Sequence, residues 1–387
     1  MRWILRWAMR AVLMALLAIV VIGLWKRDEI LRLWAVNTLF DEDRIVENFS
    51  HMDRAFLTVP LGRGEGPVSG LPEGPPLALP QGTEAWIEAR GVTSLMVLHE
   101  GRVVHESYHL GTGPEDRRIG WSLSKSYLSA LFGLLVEDGT IASLDVPVTH
   151  YDPRLIGGAY DGVTIRQVLQ MTSGVEFDED YLDYHSDINR MGRVLALGGT
   201  MDGFAAGLMA RAAQPGALWE YVSIDTHVLG MVVRGATGRG IPDLLTERIL
   251  APLGLEDAPY YLSDGEGVAF VLGGLNMRTR DHARFGLMYE QMGVYEGRQV
   301  VPADWVRLST RASAPTQPGK IGYGYQWWIP VGAPDGVFMA RGIYGQYIYI
   351  DQDRDAVIVV TSADRGFREE GVHEVNVERM RRIAEAL

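Results

Sequence analysis

Apolar positions along the chain fall into several distinct patterns, and each predicts a different element. Ala11 to Trp25 is a run of fifteen uncharged, mostly apolar residues, preceded by Arg2, Arg6 and Arg10 and followed by Lys26-Arg27. Thr93-Ser-Leu-Met-Val-Leu-His99 and Arg102-Val-Val-His-Glu-Ser-Tyr-His109 are β-rich runs on either side of Glu100-Gly101, which predicts a hairpin. Leu123, Tyr127, Leu128, Leu131, Leu134 and Leu135 recur at helical spacing. They predict a helix from Ser122 to Glu137, ended by Asp138-Gly139. From about Leu144 to Lys320 helical stretches alternate with Gly/Pro loops. Tyr325–Ile329, Phe338–Arg341, Tyr347–Asp351 and Ala356–Thr361 then read as short strands, and Glu370–Leu387 as a closing amphipathic helix. No internal repeat is visible.

The first apolar run alone is short for a bilayer span, which needs about 20 residues. Trp3 to Trp25 is long enough if the arginines snorkel to the headgroups. The run ends in Ile22-Gly23-Leu24-Trp25-Lys26, without the small residues of a cleavage site. An uncleaved signal anchor over residues 1–27 is therefore expected, ahead of a cleaved signal or a buried amphipathic helix. The three upstream arginines would hold the N-terminus in the cytoplasm and place the body outside. Pro60 to Pro80 carries six prolines and five glycines, so residues 28–80 read as an extended linker and wrapping segment. The globular domain is expected over 81–387, with a helical subdomain at about 144–320.

Charge narrows the partners. The chain has 36 basic and 49 acidic residues; five of the basic ones and none of the acidic ones lie in the first 27 residues. The remainder holds 31 basic against 49 acidic groups, a balance that phosphate backbones repel, so nucleic acid is not an expected partner. The absence of cysteine excludes disulfides, thiol catalysis and cysteine-ligated zinc. Lys26, Lys125 and Lys320 are the only lysines, whereas 33 basic residues are arginines.

One of those lysines stands in Ser122-Leu-Ser-Lys125 at the start of a predicted helix. A spacing of three puts both side chains on one face of the first turn. Serine is a weak nucleophile that needs an adjacent base. Lysine serves only when burial lowers its pKa, and arginine cannot serve because it stays protonated. The helix start also offers free N–H groups to an oxyanion. Chance could produce one Ser-x-x-Lys in a chain of this size, so its position at a helix start after a hairpin carries the weight.

Trp121-Ser122-Leu-Ser-Lys125-Ser126 resembles the first motif of the penicillin-recognising serine hydrolases, the class C β-lactamase, D-alanyl-D-alanine carboxypeptidase and esterase superfamily. The branch containing 6-aminohexanoate-dimer hydrolase is the closer likeness. It is carried by Asp161-Gly-Val-Thr-Ile-Arg-Gln-Val-Leu-Gln-Met-Thr-Ser-Gly174, Asp178-Glu-Asp-Tyr181, Ser186-Asp-Ile-Asn-Arg-Met191 and Gly322-Tyr-Gly-Tyr-Gln-Trp-Trp328. The resemblance runs from about Leu95 to the C-terminus. It implies an α+β fold of the β-lactamase/transpeptidase kind: an antiparallel sheet flanked by helices, with an inserted helical subdomain. It further implies that Tyr221-Val-Ser223 is the second motif. Tyr221 would then share protons with Lys125 and serve the leaving group, and Ser223 would help orient Lys125; read alone, Tyr221 is more simply a core residue at the start of the Ile224–Val233 helix. The third motif, normally Lys-Thr-Gly or His-Thr-Gly, is best matched by Ala340-Arg341-Gly342, with Ile343 and Ser122 supplying backbone oxyanion donors. Ala340 replaces the lysine that holds a β-lactam or peptide carboxylate, which favours esters and non-peptide amides as the small-molecule substrate. Tyr181 matches a lid tyrosine of the branch, or is an ordinary loop aromatic. No cofactor is implied.

Three other readings can be set beside this one. His105-Glu106-Ser-Tyr-His109 spells the His-Glu-x-x-His zinc-protease pattern, but that chemistry needs a helix. This segment reads as a strand, where residues four apart lie about 13 Å from each other. A Ser-His-Asp hydrolase would need a motif tying His282 or His373 to Ser122, and none exists. An anchored, non-hydrolytic binding or sensor domain has no need for the rare lysine.

Overall fold

The hairpin around Glu100-Gly101 forms as the sequence predicts, with both turn residues at positive φ (49° and 71°), as a type I′ connection requires. The computed structural model describes residues 2–387; Met1, at the head of the N-terminal segment, lies outside the described residues. The strands used below are β1 (Leu57–Pro60), β2 (Val92–His99), β3 (Arg102–Tyr108), β4 (Arg118–Ile119), β5 (Tyr260–Ser263) and β6 (Leu275–Met277). They continue with β7 (Gly322–Tyr323), β8 (Trp328–Ile329), β9 (Val337–Gly342), β10 (Gln346–Asp351) and β11 (Ala356–Ser362). The helices are α1 (Arg2–Trp25), α2 (Arg27–Asn37), α3 (Thr83–Ala89), α4 (Ser124–Glu137), α5 (Asp187–Ala196), α6 (Ser223–Thr237), α7 (Thr279–Glu290) and α8 (Val372–Glu385).

Seven strands form one sheet in the order β3-β2-β11-β10-β9-β8-β7, every neighbouring pair antiparallel. Its central strands are buried on both faces, so they read as near-continuous apolar runs. Alternation still sorts the side chains. Leu95, Val97, Tyr347, Tyr349, Ile358 and Val360 face α3 and α8, whose Trp86, Ile87, Met380 and Ile383 complete that layer. Met96, Leu98, Ile348, Ile350, Val357 and Val359 face the other way, into the main core. There α7 lies so close that a Cβ at Gly286 would come within 2.5 Å of Val357 Cγ1.

The Tyr325–Ile329 strand departs from expectation. Only Trp328–Ile329 of it forms a strand, β8; Tyr325 to Trp327 belong to the turn that joins β8 to β7, in which Gln326 takes φ 64°. The buried Gln326 carboxamide explains the break: it accepts from Thr226 Oγ1 (2.7 Å) and donates to the Leu169 carbonyl (3.0 Å). Packing also reaches upstream of Gln81. Leu39, Ile45, Phe49 and Met52 belong to the main core, and β1 pairs with β5. The Pro/Gly-rich stretch that follows covers the open edge of β3, with Gly74 and Leu77 N–H donating to the Val103 and Val104 carbonyls (both 2.8 Å). Covering an edge in this way removes a template for aggregation.

A second, four-stranded sheet, β1-β5-β6-β4, gathers strands far apart in sequence. Its edge strand β4 leads directly into the site: it is followed by Gly120, whose N–H donates to the Leu275 carbonyl of β6 (2.8 Å). Apart from this body, α1 is exposed along its length, and Trp3–Trp25 is long and apolar enough to cross a membrane.

Candidate active site

Between β4 and α4 the chain makes one tight 3₁₀ turn, Trp121–Leu123, before the α-helix begins. Ser122 lies in this turn rather than in the helix proper. Trp121 takes the left-handed φ of 46°, a strained choice for a bulky residue. Ser124 pins the turn at both ends. Its Oγ donates to the Trp121 carbonyl (2.7 Å) and accepts from Leu275 N–H (3.1 Å).

One helical turn on, Lys125 points back at Ser122. Its Nζ lies 2.8 Å from Ser122 Oγ and 2.6 Å from the Leu272 carbonyl oxygen, and the side chain is almost wholly buried. Burial pushes this amine down to about 7, against the opposing pull of the Glu179 and Asp225 carboxylates. The Tyr221 ring centroid is 5.3 Å from Nζ, and the ring stacks on Trp328 at 5.1 Å. Burial and the Glu179 charge hold the Tyr221 phenol above its ordinary value, offset in part by Ser122 and Arg341.

These residues face a cavity of about 370 Å³. Ser122, Tyr221, Tyr181, Arg341, Gly342 and Ile343 line it, and the segment from Phe367 to Glu374 forms the opposite rim. Gly342 is required by contact: a Cβ there would come within 2.3 Å of the Gly120 carbonyl oxygen. The end of β9 can therefore approach the Ser122 turn only without a side chain. Tyr181 is held by its hydroxyl, which donates to Glu179 Oε2 (2.9 Å). The phenol is pushed up by burial and by that carboxylate.

Two sequence-based expectations change in detail. Ser223 does not reach Lys125: its Oγ has no partner among the described residues, and the second bond of Nζ goes to Leu272 instead. The backbone N–H of Ser223 donates to Glu179 Oε1. Ala340, read as the place of a missing cation, points into the main core and is fully buried. The neighbouring Arg341 lines the cavity, stacked over Trp328 at 5.2 Å. Strand alternation thus supplies a guanidinium one residue later than expected.

The rival histidine patterns are placed elsewhere or differently. His105, Glu106 and His109 sit on or at the end of β3, not on a helix. Both imidazoles meet Ser107 Oγ at 3.0 Å, while Glu106 faces Tyr108 and Arg280. Glu106 thus points away from the two imidazoles, and among the described residues no group of three metal-ligating side chains forms. His282 is buried against Tyr127 (2.8 Å). His373 lines the far rim of the cavity, while Ser122 has its amine partner in Lys125.

The beta-lactamase family matches residues 84–378. The chain belongs to the beta-lactamase family. It is a serine hydrolase of that family. The 6-aminohexanoate-dimer hydrolase of Paenarthrobacter ureafaciens is 31% identical to it over 294 residues, covering 72% of this chain and 74% of that one. Among solved structures, a Bacillus anthracis protein provisionally named a 6-aminohexanoate-dimer hydrolase superposes with a TM-score of 0.80 at 24% identity, covering 90% and 95% of the two chains. A D-stereospecific amidohydrolase from Streptomyces sp. gives a TM-score of 0.59 at 22% identity, covering 76% and 96%. Both structural likenesses speak to the fold.

Two carboxylates beside Lys125 went unnoticed in the sequence. Glu179 is held above the usual carboxylate range by burial, with Lys125 drawing it down. Asp225 is fully buried and pushed up to about 7, with the Tyr160 hydroxyl donating to Oδ1 (2.7 Å). Glu179 had one signal, its place beside Tyr181 in an acidic loop. Asp225 had the signal of an acid two residues after Ser223 in an apolar helix, which no solvated face explains.

Proposed function

We propose that this hydrolase cleaves esters and linear, non-peptide amides through a covalent acyl-Ser122 intermediate. The observation that carries the reading is the buried Lys125 amine 2.8 Å from Ser122 Oγ. An amine whose pKa lies near 7 is largely neutral in mildly alkaline solution and can accept the hydroxyl proton as Oγ attacks the carbonyl carbon. The carbonyl oxygen gains negative charge, which the backbone N–H groups of Ser122 and Ile343 receive as an oxyanion hole. Tyr221, beside Nζ and kept protonated by burial, passes a proton to the departing alcohol or amine and regains one from Lys125. Water then gives a proton to Lys125 as it attacks the acyl carbon, and Ser122 Oγ leaves by taking that proton back. The Leu272 carbonyl and the Glu179 and Asp225 carboxylates set the amine's basicity, and Tyr181 closes over the substrate as a lid. Arg341 gives the cavity a positive charge that would accommodate a carboxylate on the substrate. The relative named for the 6-aminohexanoate dimer makes linear amides of amino acids the first class to try.

The helix Trp3–Trp25 would anchor the enzyme in a membrane, and the arginines at its head would leave the catalytic body on the extracytoplasmic side. The experiment is covalent labelling with a fluorophosphonate together with turnover of a short-chain nitrophenyl ester. Wild type should label and release nitrophenol repeatedly, and Ser122→Ala should do neither while keeping its melting temperature. Continued turnover by Ser122→Ala would refute the assignment. Labelling of wild type without turnover of any ester or amide would favour a binding or sensor domain.

A further inference from the structure

The two peptide N–H groups assigned to the oxyanion each adjoin a residue in the left-handed region. Trp121, before Ser122, has φ 46°, and Tyr344, after Ile343, has φ 59°. Such conformations persist in non-glycine residues only where the surroundings hold them. What surrounds these two is a cluster of rings from upstream in the chain. Phe40 stacks on Tyr344 at 5.0 Å with planes 11° apart, and lies 6.0 Å from Trp121. Phe49 stands edge-on to both, at 5.5 Å from Trp121 and 5.3 Å from Tyr344.

The same segment is tied to the site by its main chain. The Phe49 carbonyl accepts from Ile119 N–H (3.0 Å). The buried Arg118 guanidinium donates to the Val46 carbonyl and to Ser50 Oγ (3.0 Å). Glu42 pairs with Arg365 (3.0 Å), close to the Phe367 that borders the cavity. None of the four rings lines the cavity, so they would act on the site through the backbone that they hold and through Phe367, which Tyr344 meets at 4.5 Å.

We infer that Phe40 and Phe49 are positioning residues: they clamp Trp121 and Tyr344, and through them hold the Ser122 and Ile343 N–H groups in register. The stretch directly following α2 is thereby part of the catalytic architecture rather than a tether. This rests on the acyl-serine reading above. Edge-to-face and stacked ring pairs have preferred geometries, so the cluster fixes orientation as well as filling space.

The test uses the full-length protein in detergent, with active sites titrated by fluorophosphonate and p-nitrophenyl butyrate as substrate. Phe40 is 39% exposed, so Phe40→Ala should fold. Its kcat per titrated site should fall roughly 5- to 20-fold, a fraction of the effect of deleting an oxyanion donor, with KM within about twofold. Affinity for phenylboronic acid, which forms a tetrahedral adduct on serine, should weaken by the same factor, and Phe40→Tyr should restore both. Phe49→Leu, which keeps apolar bulk but loses the edge-on contacts, should behave like Phe40→Ala. Unchanged kcat per titrated site and unchanged boronate affinity in both variants would overturn the inference, whatever happened to yield or melting temperature. Failure of the acyl-serine reading would show separately, as absence of labelling in wild type.

Discussion

The two walls of the cavity are built on opposite principles. The deep wall presents Ser122 and Tyr221 to the cavity, with Lys125 and Asp225 buried behind them, and its ionisable groups are shifted by burial. The rim, holding Arg341, Phe367, Arg368 and Glu374, is partly open and carries side chains of both charge signs. Desolvation decides which protonation state a group takes in the first region. In the second, solvent screens each charge, so single interactions are weaker and depend on the ligand. The comparison teaches that the chemistry should reside in the deep wall and the choice of substrate at the rim.

The sharpest way to break that division is Lys125→Arg. Arginine keeps the positive charge but cannot give up a proton, so kcat/KM for the nitrophenyl ester should drop on the order of 10³-fold. A variant retaining a tenth of wild-type activity would show that charge, not basicity, is what the deep wall supplies. Next in size is Tyr221→Phe, which removes the proton donor and leaves the ring stacked on Trp328. A loss of about 10²-fold is expected, larger for amides than for nitrophenyl esters, whose leaving group needs little protonation. Equal losses for the two substrates would argue against a role at the leaving group.

Smaller but more diagnostic is Glu179→Gln. With Lys125 as the proposed base, activity should be present above its pKa and lost as pH falls through about 7. The Glu179 charge raises that pKa, and removing it should move the acid limb of the kcat/KM profile to lower pH by up to about one unit. The plateau at high pH should change little, and a shift toward higher pH would contradict the assigned sign. The smallest effect belongs to the rim. Arg341→Ala should raise KM roughly tenfold for a carboxylate-bearing amide, the scale of one charge-assisted hydrogen bond, and leave a neutral ester unaffected.

Much of this architecture was legible in the residues because it is written in local patterns. The Glu100-Gly101 hairpin, the apolar β9–β11 runs and the helix after Ser122 each follow from periodicity and turn chemistry. The Ser122–Lys125 pair was equally visible, since a spacing of three on a helix start fixes its own geometry. The small sheet was not, because β1, β4, β5 and β6 are two to four residues long and all but the β5–β6 pair meet across long sequence gaps. For the same reason the Leu272 carbonyl, Glu179 and Asp225 escaped notice: each reaches Lys125 across sequence gaps of tens of residues or more. Residue-type alignment of the third motif puts the missing cation at Ala340 and says nothing of Arg341, whereas strand alternation brings the Arg341 side chain to the cavity. The upstream rings were hidden by a Pro/Gly-rich stretch that looked like the end of a linker.

The claim underlying all of this is that folding strips the proton from one amine. With only three lysines in the chain, NMR of isotopically labelled lysine in the full-length enzyme can follow each amine through a pH titration, with Lys125→Arg identifying the signal. The Lys125 resonance is expected to titrate near 7, and to do so in Ser122→Ala as well. A midpoint near the ordinary ~10.4 of lysine would contradict the account.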